Sequence, residues 1–266
     1  MSANPAKRKL AAGEFVLCMA LRQLRTADAA LIAQAAGFDA VYIDLEHASM
    51  TLSDASNICI ATSALGMTPF VRVRSPAPAD IAGALDAGAL GVIVPHIGSA
   101  DDAHAAVACA KFPPAGSRSV SLLNPAMRYQ SMPLAESVAR QNELTMVIAM
   151  IETRGGADNV DAIAAVPGVD AIMIGPNDLS ADLGIPGKTK DPAIRDIYAR
   201  CGAACRKHGK ALAANSSGGP DFADVMAMGA RFILGSNDVG YLIVGARQGA
   251  AAIREAINST QKRSDA

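Results

Sequence analysis

The stretch "GFDAVYIDLEH", residues 37–47, decides the fold. Gly37 closes a helical period running over 26–36, an apolar run follows at 40–45, and that run ends in Asp44, Glu46 and His47. A glycine just past the last helical position supplies the left-handed conformation that stops a helix. A short apolar run bounded by such a signal reads as a buried strand. One unit is therefore visible: helix, glycine, strand, polar rim.

The unit recurs along the chain. Strands are predicted at 15–21, 40–45, 68–73, 91–96, 145–152, 170–175, 210–215 and 231–236. Helices are predicted at 26–36, 51–65, 78–88, 100–110, 156–165, 192–208, 219–228 and 238–257. Thr26, Ser53 and Ser99 open helices, and Gly37, Gly66, Gly88, Gly209 and Gly229 close them. Strands alternating with helices imply a parallel sheet, and eight such units close a (β/α)₈ TIM barrel. A doubly wound open sheet is the alternative, but no G-x-G-x-x-G follows the first strand. Residues 1–266 are expected to form one barrel domain, with 1–12 and 258–266 as flexible tails. The stretch "FPPAGSRSVSLLNPAMRYQSMP" (112–133) predicts no regular element; a loop this long in a compact barrel is a functional lid or an oligomer contact.

Composition narrows the function. Hydrophobic residues make up 51% of the 266 and aromatics only 4%, with no Trp, so small aliphatic side chains build the core. The net charge of −1 and the lack of a basic block argue against nucleic acid or a membrane surface as partner. Five cysteines without a C-x-x-C pair suit a reduced, cytoplasmic protein. No apolar segment follows the basic N-terminus as in a signal peptide, and the apolar runs are too short to span a bilayer.

In a barrel, chemistry sits where the strands end. Asp44, Glu46 and His47 follow the second strand; Arg72 ends the third, His96 the fourth and Glu152 the fifth; Asp178 follows the sixth, and Asn215 and Ser216 the seventh. Glu152 and Asp178, from neighbouring strands, offer two hard oxygen ligands with open positions, as Mg²⁺ or Mn²⁺ prefers. Asp178 also stands where it could cap the next helix. Arg72 suits either a carbonyl or enolate oxygen or a salt bridge to Glu46. His47 is a candidate base near neutral pH. His104 and His208 fall on predicted helices. No lysine ends a strand, and Lys210 begins one, which disfavours an imine mechanism.

The blocks "AGFDAVYIDLEHASM", "PFVRV", "LDAGALGVIVPHIGSADDAHAAVACAKFPPAGSRSV" and "MIETRGGADNVDAIAAVPGVDAIMIGPNDLSADLGIPG", in this order, resemble the HpcH/HpaI family of class II pyruvate aldolases, over about residues 13–250. The resemblance implies a phosphoenolpyruvate/pyruvate-type barrel that reversibly cleaves a 4-hydroxy-2-oxo acid to pyruvate and an aldehyde, in the catabolism of aromatic or sugar acids. It implies a divalent metal (Mg²⁺, Mn²⁺ or Co²⁺) on Glu152 and Asp178, Arg72 on the keto oxygen, and His47 as acid/base with a metal-bound water. It further implies Asp86 orienting His47, backbone amides around Gly175, Asn177 and Asp178 on the pyruvate carboxylate, and a homotrimer or homohexamer. The chain departs from the family at Met150, where Gln is common, and in "MALRQLRTAD", where Arg22 and Arg25 could bind a second carboxylate or salt-bridge outward. Two rivals remain: a CoA-ester lyase of the citrate-lyase-β type, and a non-catalytic oligomeric barrel.

Overall fold

The computed structural model describes residues 3–121, 123–216 and 218–264. Eight parallel strands pair in chain order and close into a barrel: β1 (Val16–Leu21), β2 (Ala40–Asp44), β3 (Thr68–Arg72), β4 (Gly91–Val94), β5 (Met146–Ile151), β6 (Ala171–Ile174), β7 (Ala211–Asn215) and β8 (Ala230–Asn237). Each matches its predicted position to within two residues. The helices are α1 (Pro5–Ala11), α2 (Asp28–Ala35), α3 (Leu52–Ala64), α4 (Pro78–Asp86), α5 (Ala100–Ala110), α6 (Leu134–Leu144), α7 (Arg154–Asp158), α8 (Val160–Ala165), α9 (Pro176–Asp182), α10 (Pro192–His208), α11 (Phe222–Ala227) and α12 (Asp238–Ser264).

Strand periodicity sorts the side chains into two cores. Odd and even positions of a strand face opposite sides of the sheet. On β2, Val41 and Ile43 pack outward under the helices, while Ala40 and Tyr42 join Phe70, Met146, Ile148, Met173 and Phe232 inside the barrel. The inward register carries polar groups only where strands end. Asp44 continues Ala40 and Tyr42, Arg72 continues Phe70, and Glu152 continues Ile148 and Met150. Period two thus aims these charges into the mouth.

Residues 3–12 correct one expectation. They are no loose tail but the plug of the N-terminal mouth. Asn4, 1% exposed, donates from Nδ2 to the carbonyls of Leu90 (2.9 Å) and Leu144 (2.8 Å), and its Oδ1 caps α1 at Ala6 N. Ala6 N also donates to Thr68 Oγ1 at 2.9 Å, and Lys7 pairs with Asp170 at 2.9 Å. At the other end α12 continues through 258–264 rather than fraying.

The described residues of the 112–133 segment hold one 3₁₀ turn, Pro125–Met127, and lie on the N-terminal side of the barrel. Arg118 reaches Asp86 at the foot of α4, and Arg128 reaches Ser63 O at the foot of α3. It is therefore no lid over this chain's own C-terminal mouth. After it comes α6, which the sequence hid because its buried side carries Ser137 and Gln141 along with Leu144. Gln141 is satisfied there by Asn124 Nδ2 (2.7 Å) and Ser137 Oγ (3.0 Å).

Candidate active site

At the C-terminal mouth, the β2–β3 register sets Asp44 directly beside Arg72. Asp44 is fully buried and accepts from Arg72 Nε (3.0 Å) and Nη2 (2.6 Å). Arg72 Nη1 pairs with Glu46 at 2.8 Å, and the guanidinium lies over the Tyr42 ring, 5.6 Å from its centroid. Burial alone would push Asp44's carboxyl up, but Arg72 and the amide of His47 hold it below the usual carboxylate range. Burial also works against the charge on Arg72, yet Tyr42, Asp44 and Glu46 more than offset it and keep the guanidinium charged. A guanidinium has five N–H donors. Two are hydrogen-bonded to Asp44 and one faces Glu46 across an ion pair, which leaves two for a substrate oxygen. The salt bridge to Glu46 and a carbonyl-binding role are thus compatible.

Asp44 also shapes the following turn. Its Oδ1 accepts from the backbone of Glu46 (3.2 Å) and His47 (3.1 Å), which turns the His47 side chain, half exposed, toward the mouth. Asp44 and Glu46 stood out in the sequence as strand-end acids, but as organisers of the site they emerge only from the register.

Glu152 ends the β5 register almost fully buried. Its Oε2 accepts from His96 N at 2.8 Å and lies 3.2 Å from His96 Nδ1, while Nε2 of the same ring is 3.2 Å from Glu46. His96 achieves this with a left-handed φ of 60°, a conformation that costs a non-glycine residue on the order of 1 kcal/mol. The other oxygen, Glu152 Oε1, is buried without a partner among the described residues. Burial raises Glu152's carboxyl above the usual range; His96 opposes this, and the charges of Glu46 and Asp178 add to it. A buried acid with an orphaned oxygen beside a second acid is a donor set whose chemistry fits a divalent cation. Among the described residues no three His, Cys, Asp or Glu side chains form a ready metal cage. Two carboxylates with the remaining positions left to substrate and water fit that arrangement.

Gly175 makes the close packing possible. A Cβ there would stand 2.8 Å from Glu152 Cγ and 3.0 Å from its Oε1. Its own amide is spent on Ile151 O at 3.0 Å, so Gly175 is no carboxylate donor; it contributes clearance. Pro176 follows, without an N–H, and the amides of Asn177 and Asp178 are the donors that the first turn of α9 leaves over. Asp178 sits inside that turn and does not cap it; the N-cap is Gly175.

His47, Arg72, Gly175, Asn177 and Asp178 line one cavity of about 410 Å³, and Glu152 packs behind Gly175. Arg22, Asn215 and Asn237 also line it. Asp86 does not belong to it. It ends α4, at the opposite mouth from His47, and binds Arg118 at 2.5 Å. The role of orienting His47 within one chain is corrected accordingly.

The family model described as HpcH/HpaI aldolase/citrate lyase matches residues 19–243. The chain belongs to this family. Its chemistry is that of an aldolase, a carbon–carbon lyase. It is 40% identical over 213 residues, 79% of each chain, to a 4-hydroxy-4-methyl-2-oxoglutarate aldolase of Chaetomium globosum. It is 37% identical over 256 residues, 94% of each chain, to an enzyme of the same name from Hapsidospora irregularis. The crystal structure of an HpcH/HpaI aldolase from Desulfitobacterium hafniense superposes with a TM-score of 0.88 at 31% identity, covering 95% of this chain and 98% of that one.

Proposed function

We propose that the protein is a divalent-metal-dependent aldolase that reversibly cleaves a 4-hydroxy-2-oxo acid to pyruvate and an aldehyde or ketone. The observation that carries this is the orphaned Glu152 Oε1 beside Asp178, behind a cavity lined by Arg72 and His47. Glu152 and Asp178 would hold Mg²⁺, Mn²⁺ or Co²⁺, which supplies Lewis acidity toward the 2-oxo acid.

The chain's own groups do the rest. The amides of Asn177 and Asp178 hold the substrate carboxylate. His47 takes the proton from the 4-hydroxyl. The C3–C4 bond breaks, its electron pair moves toward the keto group, and the two remaining Arg72 donors stabilise the charge that builds on that oxygen. Protonation at C3 releases pyruvate.

The assembly is a homo-oligomer in this reading, a trimer or hexamer working in the cytoplasm. α12 supports it: Leu242 is 72% exposed and Ile253 63% on a helix whose side chains face solvent along most of its length. Apolar surface of that extent marks an interaction site. Asp86 and His47 lie at opposite mouths, so any pairing between them is between copies. Among the described residues no helix is long and apolar enough to cross a membrane.

The test is pyruvate release from a panel of 4-hydroxy-2-oxo acids after EDTA treatment, with each metal added back. Metal-dependent release is expected. A folded protein that releases none with any metal overturns the proposal and revives the CoA-ester and non-catalytic readings.

A further inference from the structure

We propose that His96 is a positioning residue for the metal: it fixes one oxygen of Glu152 so that the other is presented to the cation. This rests on the aldolase reading above and extends the metal site beyond its two carboxylates.

The backbone leaves the regular strand to put His96 there. In the β4–β5 ladder Met146 N donates to Leu90 O, and the register runs unbroken from Gly91 beside Met146 to Val94 beside Ala149. Repeated every two residues, that pattern would bring His96 N to Met150 O. Ile97 N takes this carbonyl instead, at 3.2 Å. One extra residue is thus inserted at the strand end, and such bulges re-aim side chains next to active sites. The insertion releases the amide of His96, which donates to Glu152 Oε2 at 2.8 Å. His96 has a φ of 60°, a region where glycine is the default residue. A glycine would satisfy the backbone; the imidazole answers to what it touches.

The ring lies between two acids. Its Nδ1 is 3.2 Å from Glu152 Oε2, the oxygen already held by the amide, and its Nε2 is 3.2 Å from Glu46 Oε1. Glu46 is in turn braced by Arg72 Nη1, at 2.8 Å from Oε2. One oxygen of Glu152 therefore meets two nitrogens of a single residue, while Oε1 has no partner among the described residues. A carboxylate pinned at one oxygen loses its freedom to rotate, so the direction of Oε1 is set before a cation arrives. The His96 side chain is 59% exposed against 2% for Glu152, so it can be replaced without opening the core.

Three substitutions separate the backbone from the ring. His96→Gly keeps the amide and accepts the left-handed φ but removes the ring. His96→Asn returns a polar group at the place of Nδ1, on the side of Glu152. His96→Gln returns one at the place of Nε2, on the side of Glu46. Mn²⁺ binding to each protein is followed by electron spin resonance at one pH, with the melting temperature of the metal-free protein as the check on folding. His96→Gly should lower Mn²⁺ affinity about 10- to 100-fold, the scale of outer groups that orient a metal ligand, while the melting temperature holds. His96→Asn should recover much of that affinity and His96→Gln should not. Unchanged affinity in His96→Gly, a loss that His96→Asn fails to restore, or equal rescue by His96→Gln overturns the inference, while pyruvate release by the native protein keeps the aldolase reading. His96-dependent Mn²⁺ binding without pyruvate release from any 4-hydroxy-2-oxo acid leaves the inference standing and overturns the aldolase reading. A native protein that binds no Mn²⁺ overturns both.

Discussion

Asp44 and Arg72, neighbours in the β2–β3 register, form a two-pronged pair with Nε–Oδ1 at 3.0 Å and Nη2–Oδ2 at 2.6 Å, sealed from solvent. Removing one member of such a pair strands the other as a buried charge, which costs far more than the pair itself contributes. Asp44→Asn should destabilise the protein by on the order of 3 kcal/mol at neutral pH, measured by urea unfolding. The cost should depend on pH. Asp44's carboxyl is depressed in the folded protein, so its stabilisation is full above the unfolded value of about 4 and is lost as pH falls from there toward the folded value. The gap between native and variant should therefore narrow below about pH 4; a gap of constant size would refute the assignment.

Glu152 is a carboxylate whose surroundings disfavour its charge. Burial and the charges of Glu46 and Asp178 oppose its ionisation, and one of its oxygens has no partner. Glu152→Gln should stabilise the metal-free protein by about 1 kcal/mol. Divalent metal should raise the melting temperature of the native protein and leave that of the variant unchanged. Thermal scans with and without Mn²⁺ decide it; equal metal shifts in both proteins would remove Glu152 from the metal site.

Gly175→Ala separates shape from chemistry. The added methyl would collide with Glu152 Cγ at 2.8 Å and push the carboxylate aside without touching a charge. Metal affinity should fall about 10- to 100-fold, the scale on which the supporting shell of a metal site acts. Titration with Mn²⁺ followed by electron spin resonance reads this directly. Unchanged affinity would mean that Glu152 tolerates displacement.

How much of this could be read from the chain depended on what each signal was made of. The strands and most helices were legible because apolar periodicity and closing glycines report burial locally. The rim acids were legible for the same reason, as interruptions at the ends of apolar runs. α1 and α6 were not: α1 buries only Ala6 and is anchored through its polar N-cap Asn4, and α6 buries Ser137 and Gln141 beside Leu144. Such residues look solvent-facing until their partners, distant in sequence, are known. The resemblance supplied Asp86, but no local pattern could tell which mouth of the barrel it occupies or that Arg118 claims it.

Asn4 offers a stability test for the N-terminal plug. Asn4→Ala would remove the side-chain donor to Leu144 O and to Leu90 O, the latter keeping only Met146 N, a loss of about 1–3 kcal/mol. The midpoint of denaturant unfolding should drop with the slope unchanged. No drop would show that the N-terminal mouth closes equally well without this residue.

One carboxylate joins two tasks. Asp238 begins α12, the helix that offers its apolar side chains to solvent, and it also gathers the three amides of residues 22–24 that carry Arg22. Three hydrogen bonds of 3.0 Å or less therefore join the root of α12 to the wall of the cavity. The first residue of the exposed helix and the strand-end loop at Arg22 are thus tied through a single side chain.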